Sequence, residues 1–369
     1  MQILHICGNA IASRVHEEII DRLDIHNSTS STVVVPVKYS QREKAKHLFN
    51  WRDDIILIVY PDYLRYFPIL KIFFNYIILL LKLRKCEAKF DIIVGHSIWT
   101  DGALCCLYAL HHTGKFFLFM RNTDYNTFFK IPHVSIIMHF IIRRSSVVIT
   151  PSKVYYNKLI SKVSQSSKKK IRYIPNGIDD FWFENQFMDE GSERVDFIFV
   201  GKNDNNKNIL NVLSSIGPIL EAKKIRHLHI VGIELAEFVN KHPDVKIFDG
   251  VIFHGKITDK HFLKSLYRCS KALVVPSFVE TFGLVYIEAL TQRCGVVCSV
   301  GQGISEDPIP AQYMYLVNPH STDSIARGVR HFDKQRIVAG DITFLESYQW
   351  STVIGKMSHN LFTEHAGEF

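Results

Sequence analysis

The sequence predicts an α/β protein of two similar halves, each built on a parallel sheet. Three observations carry that prediction. Short apolar, β-rich runs alternate with stretches of helical length, and the alternation restarts after residue 180. The chain has 369 residues, more than one ordinary core organises. With 47% apolar and 22% charged residues it reads as packed and globular rather than disordered.

In the first series, "QILHIC", "STVVVPV", "DIILIVY", "FDIIVGH", "KFFLFMR" and "SVVITPS" are strand-like. "ASRVHEEIIDRL" and "DGALCCLYALHHTG" between them have helical length. Near-continuous apolar strands separated by helices argue for a sheet covered on both faces. The second series repeats the rhythm with "VDFIFVGK", "HLHIVG", "VIFHG", "ALVVPS", "GVVCSV" and "MYLVN". Between the two, "SQSSKKK" (164–170) reads as a solvated loop, and "IPNGIDD" (174–180) carries Pro and Asn-Gly turn signals. The expected organisation is a domain over 1–173, a second over 174–340, and a helical segment over 341–369 that packs back toward the first.

Composition narrows the partners. The net charge of +8 favours anionic ones: phosphorylated small molecules, anionic lipid or nucleic acid. Basic residues are scattered rather than interleaved with aromatics, so no nucleic acid is expected. The opening "MQILHICGNA" lacks a basic leader and reads as a buried strand, which points to the cytoplasm. Seven cysteines, an odd number without a C-x-x-C pair, argue against a disulfide framework or a metal cluster. They are read as core fillers, and no metal site is expected.

The segment "YFPILKIFFNYIILLLKLRK" (66–85) is strongly apolar, but its longest uncharged run, Ile72–Leu81, has ten residues. Spanning a bilayer needs ~20. Two readings stand: a helix lying on an anionic membrane leaflet, or one buried against the sheet. "FKIPHVSIIMHFIIRR" (129–144) is similar in character and extends the same alternatives.

The chemistry concentrates in "KALVVPSFVETFGLVYIEAL" (271–290). A strand leads into a loop that presents Glu280, and a helix is expected to begin near Thr281 or Phe282. In open α/β sheets ligands sit beyond the carboxyl ends of the strands. The helix start at Thr281, Phe282, Gly283 and Leu284 offers backbone N–H groups to a phosphate, and Gly283 allows close approach. Glu288, among apolar neighbours, is costly unless partnered. One nucleotide-sugar fits all three features: its sugar at Glu280, its phosphates at the helix start, its ribose at Glu288. In "FIFVGKNDNNKNILNVL" (197–213) a strand ends at Gly201, and Lys202 and Lys207 follow. Two cations there neutralise a departing diphosphate.

Together these stretches resemble a glycosyltransferase of family 4, with the two-domain GT-B fold: Rossmann-like parallel-sheet domains facing each other across a cleft. "ETFGLVYIEAL" matches the family's paired glutamates, Glu280 and Glu288. Gly201, Lys202 and Lys207 match its lysine loop, "IPNGID" its linker, and "VGQGISE" its late glycine loop with Gly301, Gly303 and Glu306. "FDIIVGHSIWTDGALCCLYAL", around His96, looks like its first-half strand–His–helix unit. "RNTD" (121–124) resembles a loop of members that build bacterial surface polysaccharides. The resemblance implies retaining transfer from a nucleoside-diphosphate sugar (UDP or GDP) without an essential metal or cofactor. The acceptor implied is a growing, lipid-linked glycan, met near Asn9, His96, Arg121 and Asp124. His96 reads equally well as a core histidine.

The chain departs from the family pattern at several positions. Lys202 stands where Arg is usual, Asn208 and Arg293 where Gly is usual, and Gly295 where Pro is usual. The rival readings are a nucleotide-sugar epimerase on the same architecture and a non-catalytic glycan- or nucleotide-binding relative.

Overall fold

The computed structural model describes residues 1–8, 10, 15–48, 54–86, 89–112, 115–187, 194–222, 224–334 and 342–362. They form two compact units. One comprises Met1–Pro151, Tyr155–Pro175 and Ser351–Phe369; the other comprises Ser152–Val154 and Asn176–Trp350.

The first unit holds a seven-stranded sheet. Its strands are β1 (Gln2–Ile6), β2 (Ser30–Lys38), β3 (Ile55–Tyr60), β4 (Ile92–Gly95), β5 (Lys115–Phe119), β6 (Val147–Thr150) and β7 (Ile171–Tyr173). Their order is β3-β2-β1-β4-β5-β6-β7, and every pairing is parallel. The second unit holds β8 (Asp196–Val200), β9 (Leu228–Val231), β10 (Val251–Gly255), β11 (Ser270–Val275), β12 (Gly295–Ser299) and β13 (Met314–Val317). Here the order is β10-β9-β8-β11-β12-β13, again all parallel. Both units are therefore Rossmann-like, as expected.

Burial explains the apolar strand runs. β4, β6, β9 and β12 are buried along their whole length, which requires helices on both faces. Of the thirteen strands, β7 has no counterpart in the sequence reading. It is three residues long, follows the Lys168–Lys170 run and pairs with β6. So short a strand beside a charge run leaves no period to detect.

In each sheet the strand order reverses once, between β1 and β4 and between β8 and β11. Such a switch point leaves a crevice beyond the carboxyl ends of the two strands. The loops after β8 and β11 are the ones that carry Gly201, Lys202, Lys207 and Glu280.

Candidate active site

In the second unit, two loops meet at the switch point and are stitched together by amides. Asn206 lies in the short 3-10 turn Asn205–Lys207 after β8. Its Nδ2 donates to the Val279 carbonyl at 2.8 Å, while its Oδ1 accepts from Val279 N at 2.9 Å. Phe278 N donates to the Asn206 carbonyl at 2.9 Å. Asn208 Nδ2 donates to the carbonyls of Pro276 (3.0 Å) and Pro319 (2.7 Å). The loop that presents Glu280 is thus held by the loop that presents Lys207.

The result is an ion pair: Lys207 Nζ donates to Glu280 Oε2 at 2.6 Å, with only 21% and 15% of the two side chains exposed. Glu280 is fixed from its other sides too. Its Oε1 accepts from Thr281 N at 3.2 Å, and its own N donates to Gln302 Oε1 at 3.2 Å. Its carbonyl accepts from Gly303 N at 2.9 Å. Gly303 has φ +52°, and a Cβ there would come within 2.8 Å of the Phe282 carbonyl, so the position admits glycine for both reasons. Lys202 lies beside this pair in sequence, with its side chain exposed.

The helix begins later than expected, at Leu284, and runs to Thr291. Gly283 caps it with φ +83°. A Cβ there would lie 2.4 Å from the Tyr286 ring. Thr281 and Phe282 belong to the loop, where Thr281 N is spent on Glu280 and Phe282 is buried. The helix N-terminus offered to phosphate is therefore Gly283–Val285: of the expected Thr281, Phe282, Gly283 and Leu284, only the last two belong to it. Glu288 sits one turn in, half-buried, with Tyr267 Oη donating to its Oε2 at 3.4 Å. Burial raises its carboxyl to about 7, against the Tyr267 hydrogen bond. A carboxylate poised there gains from a partner such as a ribose hydroxyl.

Two of the departures share one cause. Asn208 (φ +63°) and Arg293 (φ +53°) both occupy left-handed backbone, the conformation that makes glycine usual. Each pairs its side chain with main chain instead: Asn208 as above, and Arg293 Nε to the Phe187 carbonyl at 2.9 Å.

The first unit's switch point holds a buried polar cluster. His96 follows β4 and is fully buried. Its ring stacks on Phe119 at 5.2 Å and lies between two other histidines. Arg121 donates through Nη2 to His16 Nδ1 (3.0 Å) and through Nε to the His96 carbonyl (3.0 Å). A guanidinium only donates, so His16 Nδ1 is an acceptor. His96 Nδ1, 3.0 Å from that atom, must then donate, and His96 Nε2 accepts from His5 Nδ1 at 3.1 Å. These tautomers follow from the network. Burial first, then the Arg121 charge, hold His16 well below its usual range. His96 is lowered by burial, then by His16, His5 and Arg121, so both rings are neutral at pH 7.

Asp124 is also buried, and its carboxylate is occupied by the N–H groups of Arg121 (2.8 Å), Ile98 (3.1 Å) and Trp99 (3.1 Å). It holds the loop through these three bonds. Burial, opposed by those three bonds, lifts it to about 6. Asp101, unremarked in the sequence, accepts from Gly8 N at 3.1 Å, and burial raises it to about 7. Of the four acceptor-side residues expected, Arg121 keeps partial exposure, His96 and Asp124 are internal, and Asn9 lies outside the described residues. Sequence reasoning missed His5, His16, Asn206 and Gln302. Their partners lie tens of residues away or in irregular loops, where no periodicity marks them.

With this geometry in place, the comparisons are specific. Residues 31–180 match the family model "Glycosyltransferase Family 4", and residues 194–333 match "Glycosyl transferases group 1". An uncharacterized glycosyltransferase of Methanocaldococcus jannaschii is 27% identical over 202 residues, 50% of this chain and 50% of that protein. The chain thus spans about half the length of this curated relative. Among solved structures, the lipopolysaccharide outer core galactosyltransferase WaaB superposes with a TM-score of 0.71 at 13% identity, covering 99% of this chain and 100% of that one. Anabaena HepE, solved with UDP-glucose, gives 0.68 at 12%, covering 98% and 100%. The fold is GT-B, and the chain belongs to the family 4 glycosyltransferases.

Proposed function

We propose that the protein transfers a hexose or N-acetylhexosamine from a nucleoside-diphosphate sugar, UDP- or GDP-linked, to a growing lipid-linked surface glycan, with retention. The transfer step requires no metal. The observation that carries this reading is the Lys207–Glu280 pair at the switch point of the second sheet. In the bound state the pair exchanges partners: Lys207, with Lys202, takes the diphosphate, and Glu280 takes a sugar hydroxyl. Charge growing on the leaving diphosphate then strengthens the lysine contacts, which favours the transition state over the ground state. Glu288 holds the ribose. UDP-sugar binding by the similarly folded HepE supports a nucleotide donor, and the lipopolysaccharide role in WaaB's description supports a surface glycan as acceptor. On the acceptor side, Arg121 is the residue offered.

A cytoplasmic, membrane-peripheral location is part of the same proposal. The helix Pro68–Cys86 buries Ile72, Leu79 and Leu83 on one face. Its other face exposes Leu70, Phe73, Ile77 and Leu81, each more than half exposed, with Tyr66 and Phe67 beside it. Ile136 and Phe140, on the helix Pro132–Arg144, are also exposed. A second apolar stripe flanked by Arg65, Lys82 and Arg84 suits an anionic leaflet. No helix among the described residues is long and apolar enough to cross a membrane.

The test is product formation from UDP- and GDP-sugars on a lipid-linked acceptor, with EDTA present. Product with the donor's anomeric configuration supports the reading. Donor isomerised without acceptor would favour an epimerase instead.

A further inference from the structure

The amino end of the second sheet carries a cluster that the transfer reading does not use. Asp196 opens β8, His229 lies in β9, and Cys269 closes the helix Lys260–Cys269 that runs into β11. Because β8 lies between β9 and β11, the three side chains converge. Asp196 Oδ2 is 3.3 Å from His229 Nε2, and Cys269 Sγ is 4.0 Å from the same nitrogen. One donor atom from each residue lies within 4.8 Å of the other two. Tetrahedral zinc, with Zn–N and Zn–O of about 2.0–2.2 Å and Zn–S of about 2.3 Å, sets its donors roughly 3.3–3.6 Å apart. The Asp196–His229 spacing already matches, the His229–Cys269 spacing needs to shorten by about 0.4 Å, and the Asp196–Cys269 spacing by no more than about 1.3 Å.

The outer contacts fit as well. His229 turns its second ring nitrogen, Nδ1, to His254 Nε2 at 3.0 Å. Asp196 turns its second oxygen, Oδ1, to His227 Nδ1 at 3.2 Å. Both ligands are thus oriented from behind, as metal-bound imidazoles and carboxylates usually are. Asp196 and His229 are buried, whereas Cys269 is only half-buried, unlike the core-filling role expected of it. Cys269 keeps partial exposure, so solvent can supply a fourth ligand from its side. A mixed N, O and S donor set suits a borderline-soft ion rather than Mg²⁺ or Ca²⁺.

We propose that Asp196, His229 and Cys269 bind Zn²⁺, with His227 and His254 as positioning residues. The site lies about 13 Å along β8 from the Lys207 loop, so the ion ties β8, β9 and the helix before β11 together and takes no part in transfer. Binding releases two protons to solvent, the Cys269 thiol proton and the one His229 Nε2 holds against Asp196, whose hydrogen bond, against the cost of burial, raises His229 to about 9 in the metal-free chain. A second cluster, Cys7, His16 and His96, has its donor atoms equally near. There the Arg121 guanidinium lies 3.0 Å from His16 Nδ1 and opposes another cation.

The test is Co²⁺ titration of the full chain after EDTA treatment and dialysis. The expected result is one equivalent bound, a thiolate-to-cobalt charge-transfer band in the near ultraviolet, and displacement by Zn²⁺. Cys269→Ser loses the band and Cys7→Ser keeps it. His254→Ala keeps the band but binds Co²⁺ about 10–100-fold more weakly. Should Cys269→Ser not fold, Asp196→Asn serves: the band persists and affinity falls at least about tenfold. No band in the native chain, or a band that depends on Cys7, overturns the proposal and leaves a buried histidine–aspartate pair.

Discussion

Lys207 and Glu280 hold each other at 2.6 Å, mostly out of solvent. Any ligand that uses both must break that bond and repay it with phosphate and hydroxyl contacts. Glu280→Gln keeps the shape but loses the charge. Its kcat is expected to fall about 10²–10³-fold with nucleotide affinity little changed, as read by transfer assays beside calorimetry. Glu288 sets a pH dependence. Its carboxyl titrates near 7, and ribose hydroxyls bind the ionised form. Nucleotide affinity at pH 6 is therefore expected to be about tenfold lower than at pH 8, and flat across that range in Glu288→Gln. Stability runs the opposite way. Between the ordinary carboxylate range and about 7 the folded chain keeps a proton that the unfolded chain has lost. Glu288 therefore lowers stability as pH rises through that window.

The site depends on loops joined by side-chain amides more than on regular elements. Asn208 bonds two carbonyls from a left-handed backbone that alanine resists. Asn208→Ala is expected to cost about 2–3 kcal/mol by urea unfolding, and Asn208→Gly about half that, because glycine relieves the backbone. This scale also shows what was legible in the sequence. Twelve of the thirteen strands announce themselves as apolar runs, and the glutamates stand out because charge interrupts an apolar stretch. The helix start at Leu284 did not, because Thr281 N is spent on Glu280, Phe282 is buried in the loop, and the cap is a glycine without a capping side chain. His5 and His16 were silent because their meaning lies in His96, 91 and 80 residues away. His96 itself was visible, and its burial was one of the two readings open for it.

Across the whole molecule, two sheets with the same reversal of strand order each gather polar residues at the switch point. The two polar sets differ: paired lysines and glutamates in the second unit, and in the first neutral histidines with one arginine and the buried Asp101 and Asp124. The apolar stripe on Pro68–Cys86 belongs to this scale as well. The double variant Leu70→Glu/Phe73→Glu is expected to stop sedimentation with anionic vesicles at low salt. Its unfolding free energy should stay within about 0.5 kcal/mol of the native chain's, because both positions are exposed.

The most direct test of the central claim is calorimetric binding of UDP, UMP, GDP and GMP, with EDTA present, to the native chain and to Lys207→Ala. The account predicts that one diphosphate binds at least about tenfold more tightly than its monophosphate, and that Lys207→Ala erases this preference. A preference that survives in Lys207→Ala, or no binding of any of the four, would contradict the assignment of the Lys207–Glu280 pair as the diphosphate-sugar site.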